Sequence, residues 1–122
     1  MSGTSEALTP SPVAPAIRLA VTPGEPAGVG PDLLVRLIQE SQGARLVAVA
    51  DPGLLAARAA ALGLPLRCVD FKPEDPADAS TPGTLEVLGV PLCAPAEPGR
   101  LDTRNAPYVL ETLRVACDGC LS

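Results

Sequence analysis

A turn rich in glycine and proline lies between a short apolar run and a helix-like segment near the start of the chain. Residues 17–21 read IRLAV, which is typical of a buried strand, and residues 22–31 read TPGEPAGVGP. Pro31 suits the first position of a helix, because its missing N–H would have no partner there. Asp32 would then lie in the first helical turn, where a negative charge interacts favourably with the helix dipole. The sequence therefore predicts a strand–turn–helix unit of an α/β protein, with the turn from Thr22 to Pro31.

Strand-like and helix-like segments continue to alternate through the first half of the chain. The predicted first helix ends by Gly43 and carries four apolar residues at helical spacing, namely Leu33, Leu34, Leu37 and Ile38. Residues 45–50 predict a second buried strand, and a helix follows with Asp51 as its N-cap and Gly63 as its C-terminal cap. Residues 66–69 predict a third strand. This alternation is typical of a parallel sheet with right-handed crossovers.

The second half of the chain is richer in proline and less regular. Residues 84–90, TLEVLGV, predict a strand at the edge of the sheet or in a hairpin. Asn105 is predicted to cap a last helix that buries Val109, Leu113 and Ala116. We therefore expect a layered α/β/α fold with a parallel or mixed sheet. Only about three helices would cover both faces of that sheet, so we expect the chain to be a portion of a longer protein.

Composition limits the classes of protein to which the chain can belong. Its 122 residues suffice for one domain, and we expect residues 17–122 to form it, with 1–16 as a disordered tail. The formal net charge is −5 and no basic run occurs, which argues against nucleic-acid binding. Pro, Gly or a charged residue interrupts each apolar stretch before it reaches the length of a membrane span. Because the first residues also lack the pattern of a secretory signal, we expect a cytoplasmic protein.

The chain contains no histidine, and this limits its chemistry more than any other fact of composition. Histidine is the usual general base near neutral pH and the commonest metal ligand. Catalysis by this chain would therefore rest on carboxylates, thiols, Lys72 or Tyr108. Cys117 and Cys120 form a C-x-x-C pair, which is compatible with zinc binding, with thiol redox chemistry, or with two small residues at a helix end. The last interpretation is favoured, because isolated cysteines usually behave as small hydrophobes.

The glycines of the turn permit two interpretations of its role. Gly24, Gly28 and Gly30 allow positive φ angles and the close approach of another group to the backbone, and the following helix start favours an anion or a ligand edge. The turn is neither a Walker A loop nor the dinucleotide-binding G-x-G-x-x-G pattern. It is therefore either a ligand loop or a tight structural turn. Glu25 is correspondingly either a catalytic carboxylate or a hydrogen-bond acceptor for the loop backbone.

The whole string TPGEPAGVGPD is more specific than its glycines, and it resembles the opening signature of the 4-hydroxythreonine-4-phosphate dehydrogenase family. Further similar segments follow in the same order: VAVADPGLLAARAAALGLPL, PGTLEVLGVPL and PGRLDTRNAPYVLETLRVACDGCLS. The resemblance extends from Ile17 to Ser122. It implies a fold of the isocitrate and isopropylmalate dehydrogenase group, whose own opening turn looks like a shortened version of this one.

The resemblance also implies an activity. The family oxidises 4-phosphohydroxy-L-threonine with NAD or NADP, and the resulting β-keto acid loses carbon dioxide, a step in the biosynthesis of pyridoxal phosphate (vitamin B6). A divalent metal (zinc, magnesium or cobalt) acts as the Lewis acid, and its histidine ligands come from both subunits of a homodimer. In the wider fold group, the opening turn lies near the adenosine part of the cofactor. The resemblance therefore implies cofactor binding by four residues of the turn, which are Thr22, Gly24, Glu25 and Gly28.

The resemblance transfers no metal ligand and no catalytic residue to this chain, because the family's histidines have no counterpart in it. Where the family commonly has Gly-His-Tyr, this sequence has Ala106, Pro107 and Tyr108. We therefore expect the chain by itself to be inactive. The alternative is a non-catalytic module that binds a nucleotide or a protein partner through the same turn.

Overall fold

Four strands and three α-helices make up the described part of the chain in a computed structural model, which describes residues 17–40, 43–74 and 79–121. In chain order they are β1 (Ile17–Val21), α1 (Gly30–Leu37), β2 (Ala44–Ala50), α2 (Pro52–Leu62), β3 (Arg67–Asp70), β4 (Thr84–Gly89) and α3 (Ala106–Leu121). A short 3-10 helix, Thr103–Asn105, leads into α3. The tail predicted over residues 1–16 lies outside the described residues. None of the described helices has the length and apolar character needed to cross a membrane.

The described strands form one sheet in the spatial order β1-β2-β4-β3, and all its pairs are parallel. Leu19 lies opposite Leu46, and Val87 lies opposite both Ala48 and Asp70. The predicted parallel α/β fold is therefore confirmed. The prediction that residues 84–90 form an edge strand or a hairpin is wrong, because β4 pairs in parallel with β2 on one side and with β3 on the other.

Helices cover both faces of the sheet. Helices α1 and α2 pack on one face around a cluster of buried aliphatic side chains, which are Leu34, Ile38, Leu46, Ala48, Ala50, Leu55, Leu85 and Val87. Helix α3 packs on the opposite face, where Tyr108 meets Val49 and Val90. Alternate residues of β2 therefore enter different cores. This explains why every residue from Arg45 to Ala50 is buried, as expected for a parallel strand with both faces covered.

Helix α1 is shorter than its apolar pattern predicts. It begins at Gly30, one residue earlier than expected, and ends at Leu37, well before Gly43. The carbonyl of Ile38 accepts a hydrogen bond from the N–H of Gly83, in the loop before β4, at 2.7 Å. The chain therefore leaves the helix at Ile38 to meet that loop, and Gly43 does not terminate it.

Two predicted apolar faces agree only in part with the faces that are buried. On α1, Leu33 and Leu37 are 61% and 43% exposed, although they share the helical spacing of their buried neighbours. On α3, Leu113 is 46% exposed, whereas Tyr108 and Thr112 are buried. The polar residue at position 112 is tolerated inside because its hydroxyl donates to the carbonyl of Val109 at 2.7 Å. The apolar pattern therefore predicted part of each buried face correctly, since Leu34 and Ile38 are buried on α1 while Val109 and Ala116 pack against the core on α3.

Both ends of α2 agree with the sequence pattern. The carboxylate of Asp51 accepts hydrogen bonds from the N–H groups of Gly53 (2.8 Å) and Leu54 (3.3 Å), as an N-cap does. Gly63 ends the helix with a φ of 68°, a left-handed conformation that favours glycine. The predicted caps of α2 are therefore confirmed, and they fix where the chain leaves β2 and where it turns toward β3.

Candidate functional site

The turn at residues 22–29 follows the carboxyl end of β1. Because the described strands are parallel, the segments after β2 and β4 lie at the same edge of the sheet, which is where ligands bind in open α/β sheets. A hydrogen bond from the N–H of Gly99 to the carbonyl of Ala27, at 2.9 Å, joins the turn to the segment after β4. This carboxyl edge, formed by the turn and those two segments, is the candidate site.

Glu25 stabilises the turn from within. The N–H of Gly28 donates to the carbonyl of Glu25 at 3.0 Å, and the N–H of Ala27 donates to the Glu25 carboxylate at 3.3 Å. Of the two roles considered for Glu25, the hydrogen bond to the loop backbone is the one observed. Thr22, Gly24, Glu25 and Gly28, the residues predicted to bind the cofactor, are all half-buried in this turn.

The glycines of the turn have different surroundings. Gly24 has a φ of 83°, and a Cβ placed there would meet no other atom within 4 Å, so its backbone faces open space. A Cβ at Gly30 would instead lie 1.8 Å from the carbonyl oxygen of Pro23. Gly30 is therefore needed for packing inside the turn, whereas Gly24 leaves room for a ligand.

Arg58 is a residue of the site that the sequence prediction missed. It projects from α2, only 4% of its surface is exposed, and its guanidinium donates to the carbonyls of Pro26 (2.5 Å) and Gly28 (3.1 Å). It also forms an ion pair with the Asp32 carboxylate at 2.7 Å. Arg58 follows the buried Leu54 by four residues and Leu55 by three, so helical spacing places it on the same buried face of α2. This spacing is the sequence signal that predicts a buried arginine at position 58.

A second polar cluster lies where β2 ends. Besides capping α2, the Asp51 carboxylate accepts the N–H of Leu92 at 2.8 Å, and the Tyr108 hydroxyl accepts the N–H of Asp51 at 3.0 Å. Burial raises the pKa of Tyr108, so its hydroxyl keeps its proton at neutral pH. Asp51 therefore connects β2, α2, the segment after β4 and helix α3.

The prediction that Asn105 caps the last helix is wrong. Asn105 is the final residue of the 3-10 helix and is 1% exposed. Its side-chain oxygen accepts the N–H groups of Cys93 (3.0 Å) and Ala94 (2.9 Å), and its amide nitrogen donates to the Ala94 carbonyl at 3.1 Å. Asp102 caps the preceding 3-10 helix, because its carboxylate accepts the N–H of Arg104. Asn105 thus holds the segment after β4 against α3, a long-range contact that local sequence does not reveal.

Replacing Asp51 by alanine is expected to lower the free energy of unfolding by about 2 kcal/mol, since it removes a helix cap and the partner of the Leu92 N–H. Urea unfolding followed by circular dichroism measures this loss. Asp51→Asn is the matched control, because its remaining oxygen can still cap α2 while the Leu92 N–H loses its acceptor. A loss in the asparagine variant as large as in the alanine variant would contradict the assignment of the cap.

The chain is similar to curated enzymes over most of its length, although no protein-family model matches it. It is 60% identical over 104 residues to 4-hydroxythreonine-4-phosphate dehydrogenase of Chromobacterium violaceum and 55% identical over 104 residues to that of Salmonella arizonae. These alignments cover 85% of this chain but 31% and 32% of the two relatives. Its homologues are 4-hydroxythreonine-4-phosphate dehydrogenases. The chain therefore spans about a third of the length of the curated relatives it matches.

A solved structure of the same enzyme has a similar fold. The crystal structure of 4-hydroxythreonine-4-phosphate dehydrogenase from Klebsiella pneumoniae superimposes with a TM-score of 0.72 at 28% sequence identity. The match covers 89% of this chain and 34% of that one. The family resemblance drawn from the TPGEPAGVGPD string is thereby confirmed, and so is its relation to an oxidoreductase.

A dehydrogenase of this family implies a nicotinamide cofactor, and the turn fits one part of such a molecule. The open space beside Gly24 and the oxygens of Glu25 suit the hydroxyl groups of a ribose. The guanidinium of Arg58, which contacts the turn, donates its hydrogen bonds to the carbonyls of Pro26 and Gly28 and to the Asp32 carboxylate. The Arg58 guanidinium is therefore engaged within the fold and is not directed at a phosphate group.

A catalytic metal does not fit the described residues. No three His, Cys, Asp or Glu side chains in the described part of the chain come close enough together to hold a metal ion. Cys117 is exposed on α3, and the side chain of Cys120 lies outside the described residues, so the geometry of the C-x-x-C pair is not defined. Burial raises the pKa of the Cys68 thiol and makes it less reactive. Metal chemistry is therefore not assigned to these residues.

Proposed function

We propose that this chain supplies an α/β unit of an NAD- or NADP-dependent dehydrogenase that oxidises 4-phosphohydroxy-L-threonine and leads to its decarboxylation, in pyridoxal phosphate biosynthesis. The observation that carries this proposal is the 60% identity to a curated 4-hydroxythreonine-4-phosphate dehydrogenase over 104 residues. The turn that carries the family signature lies at the carboxyl edge of a parallel sheet, where a cofactor would be expected. The full enzyme would work as a homodimer in the cytoplasm.

Within that enzyme, the turn forms a wall on the adenosine side of the cofactor. Thr22, Gly24, Glu25 and Gly28 bind it, with the backbone at Gly24 approaching the ribose closely because no Cβ intervenes. The cofactor supplies the hydride acceptor when it is bound. The chain's own contribution is to position that cofactor and to exclude water from one side of it.

The divalent metal of this enzyme class (zinc, magnesium or cobalt) would be held by residues that this chain does not contain, since it has no histidine. We therefore expect the 122-residue chain alone to give no detectable NAD reduction with phosphohydroxythreonine and metal. Absorbance at the NADH band measures turnover, and an intact homologue from Salmonella arizonae serves as the positive control. Turnover by the chain at a rate comparable to that of the control would refute this assignment.

The second candidate function is a module that binds a nucleotide without catalysis. It is favoured by the combination of an open turn at Gly24 with the absence of a metal-ligand set among the described residues. Calorimetry with NAD and with adenosine phosphates separates the candidates from a purely structural role. Heat of binding with no turnover is expected for either candidate, whereas no heat with any nucleotide leaves the turn as a structural element.

A further inference from the structure

Two peptide groups of the turn are oriented by Arg58. In a trans peptide, the C=O of one residue and the N–H of the next point in opposite directions. The carbonyls of Pro26 and Gly28 point to the Arg58 guanidinium, so the N–H groups of Ala27 and Val29 point away from it. On that opposite side the Ala27 N–H meets the Glu25 carboxylate. By binding these two carbonyls, Arg58 orients the N–H groups of Ala27 and Val29 toward the opposite side of the turn.

Packing between α1 and α2 does not require this arginine. Aliphatic side chains such as Leu34, Ile38 and Leu55 already form the buried cluster on that face of the sheet. A buried ion pair loses much of its Coulombic gain to desolvation, and aliphatic replacements are often equally stable. A guanidinium that satisfies two carbonyls and one carboxylate at once instead fixes a backbone geometry.

We propose that Arg58 is a positioning residue for the nicotinamide cofactor, acting through the backbone of the turn at residues 22–29. This inference rests on the proposed cofactor role of that turn. The planar guanidinium reaches Pro26 with one nitrogen and both Gly28 and Asp32 with the other. Lysine offers one nitrogen and cannot make this fork, so it keeps the charge but not the geometry.

The test compares Arg58→Lys with the unmodified 122-residue chain. The expected result is a Kd for NAD about tenfold higher in Arg58→Lys, because the turn loses its fixed backbone geometry while the buried charge remains. Calorimetry measures the Kd, and urea unfolding identifies conditions under which both proteins are fully folded. Arg36→Lys, at an exposed position on α1, is the matched control and is expected to bind NAD as the unmodified chain does.

Asp32→Asn is the second variant, in case Arg58→Lys does not fold. It keeps the size of the side chain and removes the charge that anchors the guanidinium, and its expected effect is about a threefold rise in Kd. Equal NAD affinity in the folded variants and the unmodified chain overturns the positioning role of Arg58 but not the proposed cofactor role of the turn. Absence of NAD binding by the unmodified chain overturns both this inference and the proposed cofactor role of the turn.

Discussion

Gly30→Ala is expected to lower the free energy of unfolding by about 3 kcal/mol, which is a large share of the stability of a small domain. The added Cβ would lie 1.8 Å from the carbonyl oxygen of Pro23, a backbone atom that cannot move aside without opening the turn. The first turn of α1 would move with it, because Gly30 begins that helix. Urea unfolding followed by circular dichroism measures the loss.

The matched control is Gly119→Ala on α3, where a Cβ would meet no other atom within 4 Å. Alanine is there expected to stabilise the chain by about 0.5–1 kcal/mol, because it restricts the unfolded backbone and favours the helix. A Gly30→Ala variant as stable as the unmodified chain would show that the close approach of Pro23 is not required.

Glu86→Ala is expected to destabilise the chain by about 3–5 kcal/mol, because it removes the carboxylate from a buried ion pair. Glu86 on β4 contacts the Arg45 guanidinium through both oxygens at 2.5 Å, and the Arg45 side chain is only 3% exposed. The Phe71 ring lies 5.4 Å from that guanidinium and encloses it further. Thermal or urea unfolding of the variant measures the effect.

The double replacement Arg45→Met with Glu86→Leu sharpens this test. Because it removes both charges and fills the space with apolar atoms, it is expected to recover most of the stability lost in Glu86→Ala. Glu111→Ala, which breaks an exposed ion pair with Arg114 on α3, is the surface control and is expected to give no measurable change. A Glu86→Ala variant as stable as Glu111→Ala would contradict the buried character of the pair.

The elements at the beginning of the fold could be predicted from the sequence, because interactions between neighbouring residues determine them. The caps of α2 depend on neighbouring residues, such as Asp51 with Gly53, or on Gly63 in its left-handed conformation, and their prediction is confirmed. The strand at Ile17–Val21 is confirmed too, but its predicted burial is wrong, because β1 lies at the edge of the described sheet and four of its five residues are exposed. The neighbours of β4 could not be predicted in this way. Its position between β2 and β3 is set by pairing with strands that lie before it in the chain, and a single apolar run does not encode partners.

The candidate site was readable only in part. The turn was found from its glycines and its family signature, whereas Arg58 lies 30 residues beyond Gly28 and joins the site only through folding. The capping propensity of Asn105 predicts a helix cap, but its side chain accepts hydrogen bonds from the N–H groups of Cys93 and Ala94 instead. At Asn105, hydrogen bonds to another segment of the chain override the local capping propensity.

During synthesis, β3 leaves the ribosome before the strand with which it pairs. Its partner in the described sheet is β4, which also pairs with β2. A nascent chain that ends before Thr84 can therefore form only the β1–β2 pair of the described sheet, with α1 as the connection between these strands. Strand β3 has no strand to pair with at that stage. The pair between β2 and β4 also spans α2 and β3 in the chain, and pairing of strands distant in sequence is slow because a long loop must close first. Sheet completion is thus a late event, and the Arg67–Asp70 segment stays open to mispairing and proteolysis until Gly89 has emerged.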